Sequence, residues 1–319
     1  MTTGKSTGPL QLNLEESIPF LTILTIIGVT SSATNLLIVG IICKNSKQRK
    51  VYDLFTLHSS LVDLLTALIV VPFWILSAIH SQIDFVGDVY CKISATVSLL
   101  DLVAPVMFLT LVAASRHCSI VDKKAYPRIF SDSRSKVMVL LVWLLSTMIS
   151  IPPHFTWPIS PEVLCLPDLI SNSWYTTTVL AFCLLLPLFA AFYAHVYDIF
   201  LFQPERMKRD DSMKKRCERF ALRGRELTTQ KVLFSILIIH TFCWAPYVCI
   251  AMALTMNGEK VFYFGNVPLH FIALVVGLTG TSLKGVALCF EVPHLKELIK
   301  KQFGCTEREE TSQEVEEII

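Results

Sequence analysis

Long charge-free stretches dominate the pattern of apolar and polar positions. A bilayer core about 30 Å thick is crossed by roughly 20 mostly apolar helical residues, and seven segments reach that length. They run from Ile18 to Cys43, Leu54 to Ala78, Ile93 to Ser115, Val137 to Pro153, Leu169 to Tyr197, Val232 to Asn257, and about Val261 to Val292. Charge falls well inside three of them: Asp63 in the second, Asp101 in the third and Lys284 in the seventh. Each segment predicts a helix, because backbone polar groups cannot stay unpaired in hydrocarbon. A β-barrel would show short alternating strands instead. A short amphipathic stretch, Leu295 to Phe303, predicts an eighth helix lying on the membrane surface. The expected fold is all-α: a seven-transmembrane helix bundle at 17–292, an amphipathic helix at 293–304, a polar tail at 1–16 and an acidic tail at 305–319.

Composition narrows the class. With 53% hydrophobic and 17% charged residues and a mean hydropathy of +0.55, the chain is too poor in charge for a water-facing surface, so disorder, a secreted disulfide miniature and most soluble enzymes are excluded. The net charge of +2 gains meaning only from where the charges fall. Of 28 Lys and Arg, 24 lie after the first, third and fifth segments or in the C-terminal tail, whereas the other junctions and the N-terminal tail hold Lys5, Lys92 and Lys260. By the excess of basic residues on the cytoplasmic side, the N-terminus is expected outside and the C-terminus inside. The first 16 residues contain no apolar signal region, so helix 1 is expected to act as its own uncleaved targeting signal.

The order of landmarks then separates receptors from transporters and channels. Helix 1 carries Asn35 in SATNLLIVG, helix 2 Asp63 and Pro72, helix 3 opens with Cys91 and closes with Arg116, helix 4 carries Trp143 and Pro153, helix 5 Pro187, and helix 6 Cys243, Trp244, Ala245, Pro246 and Tyr247. In this order and at these spacings the chain resembles the rhodopsin-like (class A) G-protein-coupled receptors from about Ile18 to Cys305, as an atypical, orphan-type member. The resemblance implies a plasma-membrane, multi-pass receptor that is no enzyme and needs no cofactor or metal. Cys91 and Cys165 are the two of ten cysteines expected at or beyond the outer boundary, where oxidation favours a disulfide. Cys305, just after the eighth helix, is a candidate for palmitoylation. Pro187 and Pro246 remove helical hydrogen bonds and produce kinks. The family uses such a kink as a hinge around Trp244, and the alternative is that both prolines only shape the bundle.

At the inner face the family's acid before the helix 3 arginine is missing, since the sequence reads Ser115, Arg116, His117. Glu226 stands where the family places the acid of an inactive-state lock, so an Arg116 to Glu226 ion pair is expected, with ligand-independent activity raised by the loss of an acid at 115. In helix 7 the usual Asn-Pro-x-x-Tyr is absent: the matching positions read Lys284, Gly285, Val286, Ala287 and Leu288. Helix 5 offers His195 where a Tyr is usual, and helix 6 has His240 where Phe is common. A charge in mid-bilayer needs a partner, so Lys284 is expected to pair with Asp63, with Asp101 a second candidate. In related receptors that aspartate helps coordinate sodium; here the ammonium would replace the ion and leave the receptor insensitive to sodium. Pro105, where a hydroxyl ligand for sodium is common, points the same way, and snorkelling of Lys284 to the inner surface is the alternative.

An amine receptor would carry an acid at Ser98, so a non-aminergic ligand is expected. The pocket would be lined by Ser98, Phe73, Trp74, Trp157, Trp174, Phe242, Trp244, Tyr247, His270 and Phe271, residues that equally serve as packing or as an interfacial belt. The implied partners are a heterotrimeric G protein, an unidentified extracellular ligand, the lipid bilayer and an arrestin-like protein reading Thr306, Thr311 and Ser312, with no nucleic acid. Four readings compete. A retinal photoreceptor would use Lys284 as a Schiff base, but the residue sits nearly two turns too deep. A transporter would want more intramembrane charge and matching halves, and an enzyme would want clustered His and carboxylates. A weakly coupling receptor fold acting as scaffold, decoy or partner subunit is favoured by the lost helix 7 motif.

Overall fold

The computed structural model describes residues 14–79, 85–151, 159–160, 166–167, 173–201, 213–257, 263–264 and 267–302, and side chains over most of these. Seven helices among them are long and apolar enough to cross a membrane. Helix 1 is Leu14–Lys44, and helix 2 runs through Val51–Leu65, a π-helical turn at Thr66–Val70 and Val71–Ile79. Helix 3 is Phe85–Val121 and helix 4 Asp132–Ser150. Helix 5 comprises Ser173–Thr178, a π-helical stretch Val179–Leu185, Leu186–Val196 and a π-helical turn Tyr197–Leu201. Helix 6 is Met213–Asn257, helix 7 Leu269–Glu291 and helix 8 Pro293–Gln302. Two antiparallel pairs of two-residue strands, Ile159–Ser160 with Leu166–Pro167 and Tyr263–Phe264 with Val267–Pro268, lie in the connections.

Two π-helical stretches have a common cause. Pro72 and Pro187 lack an N–H and their rings crowd the preceding turn, and in each case the widened stretch ends two residues before the proline. Pro105 and Pro246 instead sit inside unbroken α-helix.

Helix 3 is the central pillar and packs against helices 2, 4, 5 and 6, while helix 1 closes against helices 2 and 7, and helix 7 against helix 6. Helix 4 shows how lipid replaces water as the outer solvent. Leu140, Leu141, Leu144, Leu145 and Met148 point outward, whereas Val139, Val142, Ser146 and Ser150 face the bundle. The small side chains on the inner face let helices approach closely. Helix 8 begins with Pro293, buries Leu295 and Leu298, and is tied to the base of helix 2 where His294 Nε2 lies 3.2 Å from Asp53 Oδ2.

Candidate functional site

Three polar constellations lie along the bundle axis, and the deepest is built around Lys284. Its Nζ sits 2.8 Å from Asp63 Oδ1, with the two side chains 1% and 0% exposed. The approach falls outside hydrogen-bond angles, so charge rather than direction sets it. The ammonium donates instead to Ser59 Oγ at 3.2 Å. Ser59 and Asp63 share a helix 2 face at i, i+4, so one helix supplies both partners. Asp101 is 0% exposed and interacts with Asp63, Thr66 and Lys284, but neither of its oxygens makes a well-formed hydrogen bond among the described residues. His240 faces Lys284 from helix 6 and is also buried. Asn35 donates to Ser31 O at 2.9 Å and Ser31 Oγ at 3.1 Å, bracing helix 1 beside this cluster. Gly285 is required there, because a Cβ would run into the Thr34 side chain.

Above it stands an aromatic floor. Trp244 is 2% exposed and its ring meets Tyr247 edge-on, with centroids 5.9 Å apart, and His240 at 6.4 Å. Helix 7 offers Gly277 to this ring: a Cβ there would sit 3.0 Å from it, so the missing side chain lets the ring pack closely against helix 7. Trp74 and Ser98 are buried nearby in the upper half, the Ser98 hydroxyl donating to Ser94 O at 2.9 Å. Two expected pocket residues point elsewhere: Trp174 is 86% and Phe242 71% exposed, on the lipid-facing surface. The side chains of Trp157, His270 and Phe271 lie outside those described, as do Cys165 and Cys305. Cys91 is buried and disulfide-bonded.

The inner face departs from expectation. Arg116 is 6% exposed and stacks over Tyr52 of helix 2, its guanidinium carbon 5.1 Å from the ring centroid. Its Nε and one Nη have no hydrogen-bond partner among the described residues. Glu226 is exposed and forms no ion pair with Arg116 among the described residues, so the expected lock is not made. Ser115 turns back on its own helix, donating to Val112 O at 2.9 Å.

A different clasp joins helices 3, 5 and 6. His117 Nδ1 lies 2.7 Å from Asp198 Oδ1, Gln230 Nε2 donates to Asp198 Oδ2 at 3.1 Å, and Gln230 Oε1 lies 3.2 Å from His195 Nδ1. Asp198 is 1% exposed, whereas His117 is 29% exposed at the rim. The ring of Tyr197 packs edge-on to His117 at 5.2 Å. This clasp escapes the sequence reading because Asp198 falls one residue past the apolar segment; an acid in the last turn of a spanning helix was the available signal. Higher up, Thr110 of helix 3 donates to Pro187 O at 2.9 Å, using the bend in helix 5 as a contact. Among the described residues no group of three His, Cys, Asp or Glu could hold a metal ion.

Comparison with known proteins agrees with this arrangement. Residues 34–277 match the 7 transmembrane receptor (rhodopsin family) profile. The chain is 29% identical over 243 residues to the melatonin receptor type 1B of Mus musculus, a match spanning 74% of this chain and 65% of that protein. It is 28% identical over 231 residues to the type 1B receptor of Homo sapiens, covering 71% and 62%, and 26% identical over 248 residues to the type 1A receptor of Phodopus sungorus, covering 76% and 67%. These relatives are receptors, not enzymes. A profile that covers well over half of the chain, on a bundle of seven spanning helices and an eighth at the surface, places this multi-pass membrane protein in the family of rhodopsin-like, class A G-protein-coupled receptors.

Proposed function

We propose that the chain is a cell-surface receptor, N-terminus outside, which couples a neutral extracellular ligand to a heterotrimeric G protein. The observation that carries this reading is Arg116: a buried guanidinium at the inner end of helix 3, resting on an aromatic ring, with two donor nitrogens unspent among the described residues. Such a cation costs several kcal/mol to bury and is kept where a partner is to be met. Trp244 and Pro246 supply the hinge, Pro187 the bend that helix 3 grips, and a disulfide between Cys91 and Cys165 ties down the outer loop.

The His117, Asp198 and Gln230 clasp takes the place of the Arg116 to Glu226 lock in holding helix 6 inward. With no acid at 115 and no ion pair on Arg116 among the described residues, the resting state is weakly restrained and basal activity is raised. Lys284 serves as a built-in cation on Asp63 in place of sodium. Two features support a neutral, aromatic-compatible ligand: Ser98 rather than an acid in the upper half of helix 3, and relatives named as melatonin receptors. Plasma-membrane anchorage through Cys305 and arrestin-like recognition of the acidic tail complete the reading.

The second reading, a receptor fold that acts as scaffold, decoy or partner subunit, is favoured by Lys284 standing where the helix 7 motif begins. One experiment separates them. G-protein activation is measured in cells expressing the wild type, Arg116→Ala and Ser115→Asp. Basal activation that is lost in Arg116→Ala and lowered in Ser115→Asp supports coupling. Wild-type activation equal to that of Arg116→Ala favours the scaffold.

A further inference from the structure

Helix 1 and the end of helix 8 frame a groove of about 420 Å³ that opens away from the bundle. Ala33, Leu36, Leu37, Gly40 and Ile41 line it, Lys44 closes one end, and Gln302 stands beside that end from helix 8. Its depth comes from the missing side chain at Gly40, where a Cβ would meet nothing within 4 Å. From Ala33 to Lys44 the helix rises about 16 Å, close to half of a hydrocarbon core about 30 Å thick. The groove is therefore as long as one leaflet is deep. It ends with helix 1 itself, at the level of the lipid headgroups.

Charge is gathered at that end. Lys44 is exposed, as are Lys47 in the turn that follows and Lys301 next to Gln302, and none of the three makes an ion pair among the described residues. The acid of helix 8, Glu297, is set roughly 140° around the helix from Gln302. An apolar channel one leaflet long with a free ammonium at its mouth has the polarity of a single anionic lipid.

We propose that the groove is a binding site for an anionic phospholipid, whose acyl chain lies along Ala33 to Ile41, whose phosphate meets Lys44 and whose headgroup accepts a hydrogen bond from the Gln302 amide. A zwitterionic lipid fits less well, because its own cation meets the lysines. A second copy of the chain fits less well too: about a two-fold axis it sets groove against groove and Lys44 against Lys44. Each lysine near such a headgroup contributes about fivefold in affinity. The site is separate from the ligand pocket and from the inner-face clasp, so it stands whether or not the chain signals; only its assignment to the cytoplasmic leaflet rests on the orientation proposed above.

Photolabelling of purified full-length receptor in phosphatidylcholine nanodiscs tests it. Traces of phosphatidylserine or phosphatidylcholine with a photoactivatable group on the acyl chain are added, and the labelled residues are mapped by mass spectrometry. Both faces of a disc present the same lipid, so orientation and coupling do not enter. The phosphatidylserine probe labels Ala33 to Ile41 in excess over the phosphatidylcholine probe. Lys44→Gln lowers that labelling about fivefold, Gly40→Leu fills the groove and lowers labelling by both probes, and Lys136→Gln, an exposed lysine of helix 4, changes neither. Lys44 is exposed at a helix end, so Lys44→Gln decides the matter even if Gly40→Leu fails to fold. Cys305→Ser, which cannot carry a thioester-linked chain, is labelled as the wild type is. The proposal is overturned by equal labelling with the two probes, by labelling that Lys44→Gln leaves unchanged, by label spread evenly over helices 1 and 4, by crosslinks from helix 1 to a second copy, or by labelling of the groove that appears only in Cys305→Ser.

Discussion

Replacing Lys284 by methionine keeps the length of the side chain and removes its charge. At the observed 2.8 Å, the attraction to Asp63 is about 6 kcal/mol at an effective dielectric near 20, set against a desolvation cost of several kcal/mol per ion. The pair as a whole is therefore close to neutral for stability, but removing one partner strands a buried carboxylate, which costs about 3 kcal/mol or more. At roughly 2–4 °C per kcal/mol, the Lys284→Met receptor melts about 6–12 °C below the wild type. Adding Asp63→Asn removes the stranded charge, so the double variant recovers most of that loss. The assay is thermal melting of detergent-solubilised receptor, with surface expression as a parallel readout. A double variant that melts at the sum of the two single losses would show that the residues do not interact and would refute the pairing.

Two further perturbations address the other constellations. His117→Ala withdraws a donor from buried Asp198; hydrogen bonds to charged groups contribute about 1.5–3 kcal/mol, so basal G-protein activation rises about tenfold or more, and unchanged basal activation would dismiss the clasp as a restraint. Gly277→Ala places a methyl 3.0 Å from the Trp244 ring, an overpacking that costs about 1–3 kcal/mol and is read as a lower melting temperature; relief by Trp244→Phe confirms the contact.

The helices were legible in the sequence because hydrocarbon forces every spanning segment to declare itself by length and lack of charge. The pairing of Lys284 with Asp63 was legible for a related reason: a buried charge demands an opposite one, and few were on offer. Facing was harder to read. A helix that is apolar all round has no polar side to mark its exterior, so Phe242 and Trp174 passed for pocket residues although they meet lipid. The Arg116 to Glu226 pair was expected from position alone, but the guanidinium rests on the aromatic face of Tyr52, a contact between distant segments that no local spacing reveals. The role of Gly277 was hidden likewise, because it belongs to the shape of Trp244 on another helix.

The internal cation is the claim on which the rest of the interior depends, and sodium tests it most directly. Melting of the wild-type receptor in sodium chloride is compared with melting in choline chloride at equal ionic strength, alongside Lys284→Asn. With the ammonium seated on Asp63, the wild type melts at the same temperature in both salts, and Lys284→Asn gains a sodium-dependent rise. A wild-type receptor stabilised by sodium over choline would contradict the account.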